Sequence, residues 1–227
     1  MGKCEQCGIR QLNAFKELTK DELIRLSLCK SSKEIKKGEV LFDEGEHING
    51  LYCVRNGVCK VSKMSDNGKD QIINLIKKGD LIGERSLISN ESSNLKAVAL
   101  NDVEVCFIPK EEVIKNLQRN PNFTMGMMQK LALSLKNADN IIVDMAQKTV
   151  KQRLAVTLLY LHENFKTEEG INSIHLTRED IANIIGTATE SAIRLLSEFK
   201  KNNLIDLKGK EIFVLNIPKL KILAEGL

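Results

Sequence analysis

Short apolar runs separated by turns dominate residues 31–109. The runs are rich in Val, Ile, Leu, Tyr and Phe, and many are separated by Lys-Gly, Glu-Gly or Asn-Gly dipeptides. Closely spaced turns of this kind are typical of antiparallel strands. Because successive side chains of a strand point to opposite faces, the odd and even positions of residues 51–55 should face opposite ways. The pattern predicts a β-roll or a related two-sheet sandwich, with the size of a sensor domain.

A long amphipathic helix is predicted after the strands. Gly and Pro nearly disappear between Asn122 and Leu161, and apolar residues recur there at helical spacing. Along one seam the separations alternate between three and four residues, as in a coiled-coil heptad. This seam consists of Met128, Leu131, Leu135, Ala138, Ile142 and Met145. Since so narrow a seam suits a second helix, we expect residues 110–148 to hold a dimerisation helix.

The same helix could also pack against its own β-domain, and the sequence leaves this alternative open. Met127, Ile141 and Val143 lie beside the seam and could pack the helix on its own β-domain. Dimerisation and packing on the β-domain are compatible with each other.

Residues 177–201 have the pattern of a helix-turn-helix. Thr177 is a suitable N-cap with Asp180 at the position of a capping-box partner, and Gly186 can take the left-handed turn into a second helix. The inward positions of that second helix are Ala192, Leu195, Leu196 and Phe199. A hairpin predicted at residues 207–212 would serve as a wing. The predicted DNA contacts are Thr177, Arg178, Thr187, Thr189, Glu190, Ser191, Ile193 and Arg194.

The exposed end of the second helix carries chemistry suited to base edges. Arg194 can bond both major-groove acceptors of guanine, and Glu190 can accept from the amino group of cytosine. Ile193 can touch the methyl group of thymine. Glu190 and Arg194 are also four residues apart, so an ordinary surface ion pair is the alternative interpretation. The two are compatible, since a pair can orient the arginine before it meets a base.

Composition and charge restrict the class of protein without identifying it. Apolar residues make up 42% and charged residues 28% of 227 residues, which is ordinary for a globular chain long enough for two domains. No apolar run approaches the roughly 20 residues that cross a bilayer, and the first residues lack the apolar core of a signal peptide. We therefore expect a cytoplasmic protein without membrane contact. The net charge is +4, but residues 171–227 carry eight Lys or Arg and seven Asp or Glu, so the motif and not the charge predicts DNA binding.

The six cysteines are not expected to form disulfides in a reducing cytoplasm. Cys4 and Cys7 form a Cys-x-x-Cys pair, which suits zinc, an iron-sulfur cluster or a redox dithiol. Cys53 and Cys59 fall within the strand pattern, and we expect them to be small buried hydrophobes. An enzyme is not predicted, since the chain lacks a glycine-rich phosphate loop, a nucleophile motif and a recognisable acid-base pair.

Taken together, these motifs resemble the CRP/FNR family of bacterial regulators over nearly the full chain. The residues that carry the resemblance are Lys37-Gly38-Glu39-Val40-Leu41-Phe42, Glu44-Gly45, Leu51-Tyr52, Val54, Gly57, Lys60, Gly79-Asp80-Leu81-Ile82-Gly83-Glu84, Leu176-Thr177-Arg178, Asp180-Ile181-Ala182, Ile185-Gly186, Thr189-Glu190-Ser191 and Arg194. The resemblance implies an α+β chain with a cyclic-nucleotide-binding-type jelly roll, a long dimerisation helix and a winged helix-turn-helix. It also implies that a homodimer binds an inverted-repeat site in double-stranded DNA, with RNA polymerase as a further partner.

The resemblance divides the chain into four parts. They are an N-terminal helical segment with the Cys-x-x-Cys pair (1–30), the β-roll sensor (31–109), the dimerisation helix region (110–148) and the DNA-binding domain (149–227). Ile193 stands where many relatives have a small residue before the recognition arginine. We therefore expect a DNA half-site that differs from theirs.

Cyclic AMP is not the expected effector. In relatives that bind it, the residue matching Glu84 holds the ribose and an Arg-Ser pair about ten residues later holds the phosphate; here residues 92–95 read Ser-Ser-Asn-Leu. A buried cyclic phosphate without a cation is costly. The adenine-contacting Thr-Ser pair is matched by Ala138-Asp139. We expect Glu84 to contact backbone groups of its own turn instead, and the effector stays unknown.

The oxygen-sensing branch of the family matches at other positions. Its iron-sulfur ligands correspond to Cys4, Cys7 and Cys106, but the third of its N-terminal cysteines falls on Asn13. The resemblance thus implies three of four ligands, and an aspartate, a water or another cysteine such as Cys29 could complete the site. Another metal, a thiol switch, a haem held by one His or Met, and purely structural cysteines stay open. A redox or metal sensor that acts through a protein partner is the alternative function.

Overall fold

The structure is a computed structural model that describes residues 3–165 and 173–226. Contacts divide the chain into two compact units. The first comprises residues 1–64 and 72–137, and the second comprises residues 65–71 and 138–227.

The first unit is built on two antiparallel sheets, and the expected β-roll is confirmed. Its strands are β1 Ser31–Ile35, β2 Val40–Phe42, β3 Gly50–Asn56, β4 Cys59–Met64, β5 Asp70–Ile76, β6 Leu81–Ile82, β7 Lys96–Ala99 and β8 Val103–Pro109. One sheet has the order β1-β8-β3-β6 and the other the order β2-β7-β4-β5. Strands that follow each other in sequence are thus often separated in space, as in a jelly roll.

Strand β3 is buried on both of its faces. Leu51 and Cys53 belong to a core shared with helices, whereas Tyr52 and Val54 belong to the core between the two sheets. The alternation expected in residues 51–55 is therefore confirmed. Burying an aliphatic side chain of this size stabilises a fold by about 1.5–3 kcal/mol, so this one strand contributes to both cores.

Helices cover the outer face of the sheet that contains β3. They are α1 Lys20–Cys29, α2 Glu84–Ser89, α3 Lys110–Arg119 and α4 Pro121–Gln147, and three 3₁₀ turns precede α1 at Cys4–Gln6, Gly8–Leu12 and Ala14–Glu17. Helix α1 begins with a capping box, in which Thr19 and Glu22 each accept a hydrogen bond from the other's backbone N–H. The Glu22 carboxylate also accepts from the side-chain amide of Asn120, at 2.8 Å. This buried contact ties the start of α1 to the residue before α4.

The buried residues of helix α4 lie in its first two turns. Phe123 and Met127 are fully buried in the helical core, and the Phe123 ring stacks on Phe15 with 5.8 Å between the ring centres. Of the residues expected to pack α4 on the β-domain, Met127 does so, whereas Ile141 and Val143 are exposed. The packed face and the predicted seam are thus different stripes of one helix.

The apolar spacing continues from Asn122 to Leu161, but the helix does not. Helix α4 ends at Gln147, and α5 Val150–Asn164 begins after two intervening residues. A second capping box causes the break: the Thr149 side chain accepts from the backbone of Gln152, and the Gln152 side chain accepts from the backbone of Thr149. These bonds satisfy the first amides of a new helix, which a continuous helix would not need.

The second unit contains the predicted winged helix-turn-helix. After α5 come β9 Ser173–His175, α6 Arg178–Ile185, α7 Thr189–Lys201, β10 Ile205–Lys208, β11 Glu211–Val214 and α8 Ile217–Glu225. The strands form an antiparallel sheet in the order β10-β11-β9. Ile181, Ala182 and Ile185 of α6 are buried, as the sequence predicts.

One arginine joins three helices of this unit. The Arg153 guanidinium, on α5, donates to the carbonyl oxygens of Met145 and Lys148 at the end of α4, at 3.3 and 2.8 Å. It also donates to the carbonyls of Ile185 and Gly186 at the end of α6, at 2.8 and 3.5 Å. The last carbonyls of a helix lack partners within the helix. A single cation therefore caps two helix C-termini, where the helix dipole also favours positive charge.

Replacing this arginine should weaken the second unit. We expect Arg153→Met, which keeps the aliphatic stem but removes every donor, to lower the free energy of unfolding by about 2–4 kcal/mol. The control is Lys151→Met on the same helix. Lys151 pairs with Glu198 at 2.6 Å with both side chains 41% exposed, and such surface pairs contribute at most about 1 kcal/mol. Urea denaturation followed by circular dichroism measures both, and equal midpoints for the two variants would contradict the capping role.

Candidate functional site

Helix α7 separates a buried face from an exposed N-terminal end. Ala192, Leu196 and Phe199 are buried, while Leu195, also expected inside, is only partly covered. Glu190 and Arg194 are exposed, and the Ile193 side chain is 46% exposed. An isoleucine with this exposure next to two charged residues is not a core position. This end of the helix is therefore available to a ligand with both polar and apolar groups.

Local bonds fix the turn that presents this end. Thr177 caps α6 through a capping box with Asp180, which is buried. Gly186 ends α6 with φ 64° and ψ 53°, a left-handed conformation that glycine adopts without strain. The backbone N–H of Thr187 then donates to the carbonyl of Ala182 at 3.0 Å. Because the turn is this short, α7 starts only three residues beyond Gly186.

The other predicted contact residues lie around this end. Thr187, Thr189 and Ser191 are partly exposed and Thr177 is exposed. Arg178 has a different arrangement, because its guanidinium donates to the carbonyl of Gly209 at 3.0 Å. Gly209 lies at the tip of the β10-β11 hairpin, so Arg178 holds the wing against α6. Among the ion pairs formed by the described residues, none joins Glu190 to Arg194.

The wing adds two cations that the sequence reasoning missed. Lys208 and Lys210 flank Gly209 and are both exposed, and the Lys208 ammonium lies 5.3 Å from the centre of the Phe213 ring. Their signal in the sequence was a Lys-Gly-Lys turn between two strands, which is equally typical of a solvated hairpin. Only the fold shows that the turn belongs to the wing of this motif.

In the β-roll, the position expected to hold a ribose is occupied by an internal ion pair. The Glu84 carboxylate pairs with the Lys130 ammonium of α4 at 2.7 Å, and Lys130 also donates to the carbonyl of Leu81. Glu84 therefore has a partner on another helix, whereas we expected one in its own turn. Ser93, in the stretch that replaces the phosphate-binding pair, donates its hydroxyl to the carbonyl of Leu95 at 2.7 Å.

A small cavity beneath the β3-bearing sheet is lined by four thiols. It has a volume of about 30 Å³, and Cys4, Cys7, Cys53 and Cys106 all line it. Three cationic side chains share the lining: Arg10, Lys30 and Arg55. All six cysteines are free thiols. In residues 3–165 and 173–226, no three His, Cys, Asp or Glu side chains stand close enough together to hold a metal ion. The structure thus brings the predicted trio to one cavity, without a preformed coordination shell.

Hydrogen bonds place the N-terminal segment over this cavity. The backbone N–H of Cys4 donates to the Ser27 hydroxyl of α1 at 2.6 Å, and that hydroxyl donates to the Glu5 carboxylate at 3.0 Å. The side-chain amide of Asn13 donates to the carbonyl of Gly79 at 2.9 Å and lies 3.5 Å from the sulfur of Cys53. Asn13, the residue at the missing ligand position, therefore touches a thiol of the sheet.

The remaining cysteines lie elsewhere. Cys59 is buried in the core between the sheets, and burial raises the pKa of its thiol to about 11. Cys29 packs at the edge of the helical core, where its thiol donates to the carbonyl of Leu26 at 3.6 Å. Burial, followed by the neighbouring Cys106, raises the pKa of Cys53 to about 12. The expectation that Cys53 and Cys59 are buried is confirmed.

Two family models match the chain in its two halves. A cyclic nucleotide-binding domain matches residues 32–120, and a Crp-like helix-turn-helix domain matches residues 152–223. The fumarate and nitrate reduction regulatory protein of Salmonella typhimurium is 31% identical over 97% of this chain and 90% of its own length. The transcriptional activator protein Anr of Pseudomonas protegens is 28% identical over 98% of this chain and 93% of its own length.

Solved structures share the fold. FixK2 from Bradyrhizobium japonicum superposes with a TM-score of 0.77 at 23% identity, covering 86% of this chain and 96% of its own. A CRP/FNR-family regulator from Thermus thermophilus superposes with a TM-score of 0.68 at 25% identity, covering 86% and 98%.

The α+β architecture, with a nucleotide-binding-type roll ahead of a helix-turn-helix, defines a DNA-binding transcription regulator. The relatives named above are a transcriptional activator and a regulatory protein. The chain belongs to the CRP/FNR family. Among the described helices, none combines the length and the apolar character required to cross a membrane.

The raised pKa values predict slow thiol chemistry in the folded protein. With a pKa moved from 9.0 to about 11, Cys59 should react with iodoacetamide at neutral pH about 100-fold more slowly than in the urea-unfolded chain, because only the thiolate attacks. Its rate should keep rising up to about pH 11. Since the unfolded chain ionises first, the stability contributed by the neutral thiols should fall as the pH rises above 9. Mass spectrometry of timed reactions measures this, and equal rates for native and unfolded Cys59 would refute it.

Proposed function

We propose that this protein is a homodimeric, cytoplasmic transcription regulator whose two α7 helices read an inverted-repeat DNA site. The observation that carries the proposal is the exposed end of α7, where Glu190, Ile193 and Arg194 lie together on the rim of the helix-turn-helix. In this motif the N-terminal end of the second helix enters the major groove. The side chains there match base chemistry: a guanidinium for guanine, a carboxylate for cytosine and an aliphatic group for the thymine methyl.

The residues around α7 would position the helix on the backbone of the DNA. Thr177, Thr187, Thr189 and Ser191 offer hydroxyl groups to phosphates, which need donors and not base specificity. Arg178 would act indirectly by holding the wing through Gly209. The exposed Lys208 and Lys210 of the wing would then neutralise phosphates beside the groove.

Arg194→Ala should reduce both affinity and sequence preference. Losing a two-pronged contact to guanine costs about 1–3 kcal/mol, or roughly 5- to 150-fold in Kd. The control is Lys219→Ala on α8, which removes the same charge from an exposed position outside the helix-turn-helix. The measurement is fluorescence anisotropy with a site selected from random DNA by the wild-type protein. A uniform low affinity of wild type and variant for every sequence, under oxidising and reducing conditions, would refute base reading by α7.

The wing lysines should behave differently from Arg194. Replacing Lys208 or Lys210 with Ala should weaken binding to all sequences alike, because a lysine at a phosphate neutralises charge without reading a base. The slope of log Kd against log salt should fall by about one for each phosphate that is no longer neutralised. Titrations at several salt concentrations separate this effect from a loss of base reading. An unchanged slope in both variants would place the wing away from the phosphates.

Dimerisation through α4 is proposed from the exposure of its seam. Met128, Leu135 and Ile142 are 57%, 65% and 66% exposed, although each is apolar, and Leu131, Ala138 and Met145 fill the alternate positions. Apolar residues at this spacing gain by packing into a second helix. The two reading helices of a dimer must also lie about 34 Å apart to enter successive major grooves. A shared α4 seam would set that separation.

Leu135→Glu should disrupt the dimer, whereas Leu133→Glu should not. The two leucines are 65% and 60% exposed and lie about 200° apart around the helix. Only the first belongs to the seam. Light scattering after gel filtration should show a monomer for Leu135→Glu and a dimer for Leu133→Glu. If both remain dimeric, the interface lies elsewhere.

The sensor chemistry is proposed for the cysteine cavity and not for the nucleotide pocket. Cys4, Cys7 and Cys106 share one cavity, and thiolates are the preferred protein ligands of zinc and iron-sulfur centres. As described, the three thiols do not form a coordination set, so binding such a group would require the N-terminal turn to move toward strand β8. Cyclic AMP is not proposed as the effector, because the Glu84 carboxylate already pairs with the Lys130 ammonium. In addition, Ser92 and Ser93 provide no cation for its phosphate. RNA polymerase as a partner rests on the family resemblance alone.

A further inference from the structure

Lys130 continues the stripe by which helix α4 packs in the helical core. Phe123 and Met127 are fully buried, and Lys130 follows them four and then three residues on, which places the three side chains on one face of the helix. The Lys130 side chain is only 26% exposed. Because lysine is almost never buried unless it is paired, a lysine at the end of an apolar stripe depends on the groups that its ammonium contacts.

Two acceptors on either side of one turn hold the Lys130 ammonium. The Glu84 carboxylate lies 2.7 Å from it, with 14% of its side chain exposed, and the Leu81 carbonyl accepts a hydrogen bond from it. Between these residues Gly83 has φ 96°, a conformation that strains other residues. A Cβ atom at position 83 would also lie 3.1 Å from the carbonyl oxygen of Gly50. The turn is thus closely packed and holds both acceptors in place.

A second carboxylate lies close enough to feel the same ammonium. Burial raises the pKa of Asp80, while the Lys130 ammonium acts in the opposite direction. Asp80 and Glu84 belong to the same short segment around Gly83. One ammonium therefore compensates two carboxylates in a partly buried place, and removing it would withdraw that compensation from both.

The Lys130 contacts can fix the rotation of α4 about its own axis. Burial of Phe123 and Met127 is favourable but non-directional, whereas the bonds of the ammonium require a defined direction. Leu131 of the predicted seam follows Lys130 at about 100° around the helix. A rotation that breaks the bonds of Lys130 would therefore turn the seam as well.

We propose that Lys130 is a positioning residue, which through Glu84 and the Leu81 carbonyl sets the rotation of α4 and so presents the seam to a second protomer. The inference rests on the proposed dimerisation through α4 and adds the contact that orients the seam. Both partners of Lys130 belong to its own protomer. The positioning therefore needs no small molecule between the roll and the helix.

The test compares dimerisation of the full-length protein with that of matched variants. Lys130→Met keeps an unbranched apolar stem and removes the ammonium, and Lys136→Met removes an exposed ammonium from the same helix. The double variant Glu84→Lys with Lys130→Glu exchanges the two charges. The measurements are the dimer Kd by sedimentation equilibrium, the urea midpoint of unfolding, and the hydrogen exchange of the α4 amides by mass spectrometry.

We expect Lys130→Met to raise the dimer Kd by about 10-fold, while Lys136→Met stays within about twofold of wild type. The amides of residues 124–137 should exchange faster in Lys130→Met only, since local opening follows the loss of local contacts. The charge exchange should recover part of the lost dimer affinity. Recovery should be incomplete, because a carboxylate at position 130 cannot donate to the Leu81 carbonyl.

The possible failures separate the ion pair from the seam. An unchanged dimer Kd in Lys130→Met, together with a monomeric Leu135→Glu, overturns the positioning role and leaves the seam. A Kd that rises only as far as the folded fraction falls makes the pair a contribution to stability and overturns the role equally. A dimeric Leu135→Glu removes the seam itself. If Lys130→Met does not fold, Glu84→Gln tests the same contact, and an unchanged Kd in that variant would also refute the proposal.

Discussion

The pairing of β3 with β8 is the constraint on which the first unit depends. Both strands are buried on two faces, so their side chains divide between the inter-sheet core and the helical core. On the helical side, Leu51 and Ile108 support Phe123 and Met127 of α4, and Cys53 meets Cys106. The same register therefore determines where α4 is anchored and where the thiols gather. Slipping it by one residue would turn each of these side chains to the opposite face.

Helix α4 satisfies different requirements along its length. Its first turns are held by burial of Phe123 and Met127, and its middle exposes an apolar seam. Arg153 caps the carbonyls at the end of α4 and also caps those at the end of α6. A shift of α4 at its end would thus change the hydrogen bonds of the guanidinium that also caps the first helix of the DNA-binding motif. Coupling between a dimer seam and a reading helix needs a shared element with more than one arrangement. In the proposed dimer, the four bonds of Arg153 would supply the shared element.

Features defined by nearby residues could be predicted from the sequence, and features defined by distant pairs could not. Thr177, Asp180 and Gly186 lie within ten positions, and their spacing alone predicted both the start and the end of α6. Strand alternation predicted the two faces of residues 51–55 for the same reason. In contrast, the sequence did not indicate that Cys53 lines one cavity with Cys4, Cys7 and Cys106, because those residues are distant along the chain. The contacts of Lys130 and Arg153 could not be predicted from the sequence either. A charged residue on a helix is normally solvated, and only the fold shows which groups it contacts.

The Glu84–Lys130 pair explains why the thiol cavity, and not the nucleotide pocket, is the better candidate for sensing. An effector with a ribose would have to displace an ammonium that bonds both the Glu84 carboxylate and the Leu81 carbonyl, leaving a partly buried cation without those partners. Such a loss typically costs several kcal/mol, and the phosphate would gain no cation from residues 92–95 in return. The cysteine cavity needs no such exchange, because Cys4, Cys7 and Cys106 line it and their thiols are free.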